Sequence, residues 1–313
     1  MISQESKSPD SSFCSQREGK KKTATFLCND SQVKHVRPFV KWAGGKNQLI
    51  EALNLRSPSK FHTYYEPFLG GGAFFFHFYS SRTPFKAVLS DTNEELVTAY
   101  LTIKNSVNDL IPNLAGHREK YHLSPREYYY EVRDFQEPKD NIERTSRFLF
   151  LNKTCYNGLY RVNREGKFNV PFGAYKRPNI CDEQNLRAVS EALKSSSVEL
   201  RVADYEQAIC NAQESDFLYF DPPYLPSSST ANFTAYTSLG FTLKDQQRLA
   251  NVFRKFNRKK CKIMMSNSDV AEIRQLYSGF QIETIQSLRA INCLGNRRRG
   301  HTDLIIRNYS NQK

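Results

Sequence analysis

The stretch Phe217-Leu218-Tyr219-Phe220, followed by Asp221-Pro222-Pro223-Tyr224, constrains this 313-residue chain more than any other. The four apolar residues have the pattern of a strand buried on both faces. Two consecutive prolines donate no ladder hydrogen bonds, so the strand must stop at Asp221. A stiff loop is thereby set at the carboxyl end of a buried strand, where open α/β sheets build their sites. A carboxylate and a phenol on such a turn suit a planar ring that bears an amino group. Asp221 can accept hydrogen bonds from the amine, and Tyr224 can stack on the ring face. The same residues also suit an ordinary Pro-rich turn with an Asp cap. The buried strand before them and the aromatic after them favour a site.

A second strand end lies near the amino terminus. Tyr64 to Phe68 reads as a strand running into Gly70-Gly71-Gly72, with a helix opening at Ala73. Strand, glycine loop and helix start make the nucleotide-cradling unit of doubly wound folds. The next strand, Ala87 to Ser90, ends in Asp91, about twenty residues after the glycines, where an acid can bind ribose hydroxyls. Asn93 then starts a helix whose apolar residues Leu96, Tyr100, Ile103, Val107 and Leu110 form one stripe. Upstream, Lys41-Trp42-Ala43-Gly44-Gly45-Lys46 holds the only tryptophan beside a glycine turn and a cation. Trp42 and Lys46 suit a charged, ring-bearing ligand, and equally a core aromatic with a surface lysine.

The net charge is +13 and the isoelectric point about 9.3, which points to a polyanionic partner, nucleic acid before membrane. The cations cluster. Between about 115 and 200 the alternation of strands and helices is lost, and Asn163-Arg164-Glu165-Gly166 reads as a hairpin turn. Around it Lys153, Arg161, Lys167, Lys176 and Arg177 interleave with Tyr156, Tyr160, Phe168 and Tyr175. Such a loop offers charge for phosphates and flat rings for an opened base step, although a half-exposed hairpin with solvated lysines has the same composition. A second basic loop, Asn296 to His301, includes Arg298.

Elsewhere, Thr242 to Asp245 resembles a capping box opening a helix. Lys262 to Ser266 reads as a buried strand and Asp269 to Tyr277 as a short helix. Gln281 to Gln286 and Asp303 to Ile306 read as closing strands, an antiparallel edge on a mostly parallel sheet. Residues 1–36, rich in Ser, Lys, Gln and Asp, read as a mobile tail. The seven cysteines are scattered, with no spacing suited to zinc, so no metal is expected and the thiols read as reduced. No apolar stretch reaches membrane-spanning length and no signal-peptide core is present, so an intracellular, cytoplasmic protein is expected.

Four stretches in this order, KWAGGK, EPFLGGG, the hairpin NGLYR…GKFNVPFG, and DPPY followed by TANFTAY, resemble the Dam-type DNA adenine-N6 methyltransferases. The resemblance covers roughly Pro38 to Asn308; Lys153-Thr154-Cys155 departs from a segment usually more aromatic. It implies a doubly wound, mostly parallel α/β sheet of Rossmann-like type. Residues 37–114 and 201–313 would form the catalytic domain, with a DNA-recognition insertion at 115–200. It implies S-adenosylmethionine as methyl donor, which the residues alone do not separate from NAD. The donor's site would include Trp42, Lys46, the loop Phe68, Gly70 and Gly72, Asp91 and Asp221.

The same resemblance implies transfer to N6 of adenine in double-stranded DNA, in GATC, after base flipping. Asp221 and the Pro222 carbonyl would accept the N6 hydrogens, and Tyr224 would stack on the base. On the hairpin, Arg161 would contact guanine, and Tyr156 and Asn157 would enter the stack. Lys153 and Arg298 would touch phosphates. A monomer is expected. No Pro-Cys dipeptide occurs, which speaks against cysteine-dependent cytosine chemistry. An RNA adenine methyltransferase would share donor and DPPY. A dinucleotide oxidoreductase would leave DPPY idle, and a silent DNA-binding protein would not need it.

Overall fold

The apolar runs pair into one sheet. The strands are β1 (Thr63–Glu66), β2 (Lys86–Asp91), β3 (Val198–Val202), β4 (Phe217–Phe220), β5 (Lys262–Ser268), β6 (Gln281–Ser287) and β7 (His301–Arg307). Among the described residues they stand in the order β3-β2-β1-β4-β5-β7-β6. The first five are mutually parallel, and β7 runs antiparallel between β5 and β6. This computed structural model describes residues 36–42, 44, 49–82, 85–135, 137–195, 197–225, 241–287 and 301–310, all within the unit Lys34–Lys313.

The helices are α1 (Ile50–Arg56), α2 (Ala73–Ser80), α3 (Glu94–Leu123), α4 (Pro125–Asp134), α5 (Asn141–Thr154), α6 (Glu183–Ser195), α7 (Tyr205–Ala208), α8 (Leu243–Arg258) and α9 (Ala271–Leu276). Alternation along the strands divides the core between the two sheet faces. Tyr64, Phe217, Tyr219 and Met264 pack with Phe74 and Phe78 of α2 and with α3. Tyr65, Leu218, Phe220 and Met265 pack with Leu249 and Phe253 of α8. Each fully buried aliphatic or Phe side chain stabilises by about 1.5–3 kcal/mol, so a sheet covered on both sides is the favoured layering.

The expected helix starts are present. Asn93 caps α3 through Leu96 N at 3.0 Å, and its apolar stripe is buried. Thr242 and Asp245 cap each other at α8, with Asp taking the place usually held by Glu or Gln. The helix α3 runs through residue 115 to Leu123, with non-helical torsions at Ser106 and Pro112 inside it. The stretch without regular alternation contains α4, α5 and α6, packed around Tyr121, Tyr129 and Phe150. The hairpin that follows α5 closes through isolated bridges, Cys155 with Phe172 and Val162 with Phe168. Its turn forms as the residues require: Asn163 Oδ1 accepts from Glu165 N and Lys167 N, both at 2.9 Å, and Gly166 takes φ +77°.

Candidate active site

After β1 the chain moves outward to β2 and β3, then returns to place β4 on the other side of β1. The reversal opens a crevice at the carboxyl ends of β1 and β4. Glu66-Pro67-Phe68 leaves the sheet on one side of it and Asp221-Pro222 on the other. Asp221 is half-buried, and its Oδ1 accepts from Ser266 Oγ of β5 at 2.7 Å. The Pro223 carbonyl accepts from Gln246 Nε2 at 3.0 Å, and Gln246 Oε1 in turn accepts from Asn267 Nδ2 at 3.0 Å. Gln246 and Asn267 are wholly buried, so α8 and β5 fix the DPPY loop from beneath.

Glu66 lies on the same face as Tyr64 and is 3% exposed. Tyr64 Oη donates to its Oε2 at 2.7 Å. Burial pushes the Glu66 carboxyl up to about 8. Hydrogen bonds from Tyr64 and the Phe75 amide oppose the rise, and the nearby negative charge of Asp221 adds to it.

The glycine loop is tightly enclosed. Gly72 takes φ +67°, and a Cβ there would stand 2.6 Å from Tyr100 Oη, which donates to the Gly70 carbonyl at 3.1 Å. Asp91 Oδ2 accepts from Gly70 N at 3.0 Å and Oδ1 from Asn93 N at 2.9 Å, which ties the end of β2 to the loop. Burial raises the Asp91 pKa, against the backbone amides of Asn93, Gly70 and Thr92, which lower it. A carboxylate offers about four acceptor positions, so these amides do not exhaust it. Phe68 stacks on Tyr205 with ring centres 5.2 Å apart. A bare loop backbone beside an acid with acceptor capacity left can cradle a nucleoside.

Trp42 covers this loop and stacks on Tyr160 of the hairpin, with ring centres 5.6 Å apart. Asn152 of α5 fastens the same segment: its Oδ1 accepts from Lys41 N, and its Nδ2 donates to the carbonyls of Lys41 and Gly158. Beyond that anchor the hairpin is open to solvent. Tyr156 is 50% exposed, and Asn157, with φ +54°, is exposed beside it. Arg161 is exposed and donates through Nε and Nη2 to Asn169. Lys176 and Arg177 are exposed as well. Lys153 is half-buried beside Lys41 and Asp182, and burial, with the charge of Lys41, lowers its pKa to about 8.

The structure thus gathers Trp42, Phe68, Gly70, Gly72 and Asp91 around one loop and sets Asp221, Pro222 and Tyr224 across the crevice. Lys46, Arg298 and the stretch TANFTAY lie outside the described residues. Sequence reasoning missed Glu66, Gln246, Ser266 and Asn267. Glu66 carried a signal of the kind that marked Asp221, an acid ending an apolar run before proline. Gln246 carried none, being one polar residue in an amphipathic helix. Among the described residues no group of three or more His, Cys, Asp or Glu could hold a metal, and no helix is long and apolar enough to cross a membrane.

A family description, D12 class N6 adenine-specific DNA methyltransferase, matches residues 42–291, from the tryptophan of the cradle to beyond the DPPY loop. The chain belongs to this family. The enzyme is therefore an adenine-specific DNA methyltransferase. Type II methyltransferase M.MjaIII of Methanocaldococcus jannaschii is 43% identical over 289 residues, covering 88% of this chain and 99% of that protein. Type II methyltransferase M1.LlaDCHI of Lactococcus lactis subsp. cremoris is 38% identical, covering 88% of this chain and 97% of that protein. A DNA adenine methylase of Vibrio cholerae is 36% identical, covering 83% and 91%. In the D12 methyltransferase the expected doubly wound, mostly parallel sheet with an antiparallel edge is present.

Proposed function

We propose that this methyltransferase modifies N6 of adenine within GATC in double-stranded DNA, on a base turned out of the helix. One observation carries the reading: the Asp221 carboxylate is fixed by Ser266 at the switch point of the sheet, across from the glycine cradle. S-adenosylmethionine, the donor the family implies, supplies an activated methyl group when bound. Trp42, Phe68, Gly70, Gly72 and Asp91 would hold it, with Lys46 joining from its position in the sequence. Asp91 would accept from the ribose hydroxyls.

The target nitrogen is a poor nucleophile because its lone pair is delocalised into the ring. Asp221 and the Pro222 carbonyl would accept the two N6 hydrogens and draw the nitrogen toward a tetrahedral arrangement. Their stabilisation grows as positive charge develops on N6, which is what accelerates transfer. Tyr224 would stack on the extruded base, worth about 1–3 kcal/mol and offsetting part of the few kcal/mol that unstacking costs.

Within residues 115–200 the hairpin would read the DNA. Its exposed Tyr156 and Asn157 suit insertion into the stack, and Arg161 suits a bidentate contact to guanine. Lys153, Lys176 and Arg298 would meet phosphates. Residues 37–114 and 201–313 would bind the donor and carry out transfer, and residues 1–36 would be dispensable. The enzyme would act as a monomer, in the cytoplasm with its DNA. The DNA adenine methylase relatives and the hairpin's likeness to GATC-methylating enzymes support this target. The test is methylation mapping after expression in a host without adenine methylation of its own. Modified adenines should fall in GATC; modification confined to another sequence would overturn the target while leaving the chemistry standing.

A further inference from the structure

The strands β4 and β5 run parallel with Tyr219 opposite Met264 and Phe220 opposite Met265. One step further along this register sets Asp221 beside Ser266, and alternation puts Tyr219, Asp221 and Ser266 on one face. Ser266 Oγ donates to Asp221 Oδ1 at 2.7 Å and lies 3.0 Å from Tyr219 Oη. A serine hydroxyl has one proton to give. Ser266 gives it to Asp221, so Tyr219 must be the donor to Ser266. Tyr219 is 1% exposed and Ser266 0%, so water is kept from the link between them.

We propose that Tyr219 and Ser266 form a buried, one-directional hydroxyl relay that orients the Asp221 carboxylate and keeps it charged for the N6 hydrogens. Both are positioning residues acting through Asp221, and the inference rests on the role proposed for Asp221. The surroundings explain why such a device is needed. Glu66, Tyr64 and Tyr224 are the other titratable groups whose charges bear on Tyr219 and Asp221 there. Glu66 is buried and Asp221 half-buried, and two neighbouring carboxylates do not both ionise cheaply. Glu66, raised to about 8 by burial with the charge of Asp221 adding to it, is the one that keeps its proton. Ser266 donates to the Asp221 carboxylate, and a donated hydrogen bond favours the charged acceptor over the neutral one.

The test uses the full chain with Ser266→Ala and Tyr219→Phe, singly and together, and with Asp221→Ala. Single-turnover transfer to a duplex that the unmutated enzyme methylates is followed across pH, alongside donor titration and thermal melting. Ser266→Ala should slow transfer roughly tenfold to a hundredfold with donor affinity unchanged. It should melt somewhat lower because it strands the buried Tyr219 hydroxyl, whereas the double variant with Tyr219→Phe should recover part of that melting loss without recovering transfer. The acid limb of its pH profile should move toward neutral, because a donor to the anion is gone. Tyr219→Phe should act in the same direction by a smaller factor and add nothing once Ser266 is absent. Should Ser266→Ala fail to fold, the acid limb of Tyr219→Phe decides alone. Unchanged rates and acid limbs, or a Tyr219→Phe effect of equal size in both backgrounds, would overturn the relay. If Asp221→Ala is inactive while the relay variants match the unmutated enzyme, only the relay fails. Turnover without Asp221 would bring down both.

Discussion

A Cβ built on Gly70 would stand 2.9 Å from Cδ1 of Trp42, so the indole lies directly against the glycine loop. Gly70 also takes φ +49°, which costs a side-chain-bearing residue roughly 1–2 kcal/mol. Gly70→Ala should lower the melting temperature and weaken donor binding together, because the displaced ring and the strained loop belong to one cradle. Gly116 in α3 has nothing within 4 Å of its built Cβ. Gly116→Ala should stabilise by up to about 1 kcal/mol through helix propensity. Melting of the two variants with and without S-adenosylmethionine checks both signs.

Asp91→Ala removes the acceptor of the Gly70 and Asn93 amides and the proposed partner of the ribose. Hydrogen bonds to charged groups contribute about 1.5–3 kcal/mol, so donor affinity should fall by roughly tenfold to a hundredfold. Calorimetric titration measures it. Unchanged affinity would mean that Asp91 only anchors the loop.

Glu66 makes a prediction about stability and pH. Its folded-state pKa of about 8 lies above its unfolded value near 4.5. Between those values the folded chain holds a proton that the unfolded chain has released, so stability falls as pH rises through this window. Glu66→Gln copies the protonated form and removes that dependence. Its melting temperature should match the unmutated enzyme near pH 4.5 and exceed it above pH 8. Equal melting at both ends would show that Glu66 is not held protonated.

Much of this site was legible because its residues interrupt a pattern. Two prolines ending the run Phe217 to Phe220, and three glycines after Tyr64-Tyr65-Glu66, are visible in a one-dimensional reading. The capping of α8 by Thr242 and Asp245 was visible for the same reason. What supports the site was not. Ser266, Gln246 and Asn267 acquire their roles from the β4–β5 register and from the side of α8 that faces the sheet, which the sequence does not specify. The edge strand β3, Val-Glu-Leu-Arg-Val, alternates as a half-exposed strand should, but it is short and follows a region of helices and hairpin that breaks the alternation of strand and helix. The stacking of Trp42 on Tyr160 joins residues far apart in the chain, and neither has a local signal for the other.

Arg161 offers a test of sequence reading. Its guanidinium has five N–H donors, and the two contacts to Asn169 leave others for a base. Arg161→Ala should cost about 1–3 kcal/mol at one base pair and relax specificity there, whereas Lys176→Ala should weaken all duplexes alike and flatten the salt dependence. Methylation of GATC and its single-base variants separates the two. An equal loss on every duplex for Arg161→Ala would make it a positioning contact.

The most direct measurement is transfer of labelled methyl groups from S-adenosylmethionine to duplex DNA by Asp221→Ala, with donor and DNA binding measured on the same preparation. The carboxylate stands on a loop at the strand end, fastened by Ser266. Its loss should therefore leave the fold and DNA binding intact while transfer disappears. Turnover like that of the unmutated enzyme would contradict the assignment of Asp221 as the acceptor of the N6 hydrogens.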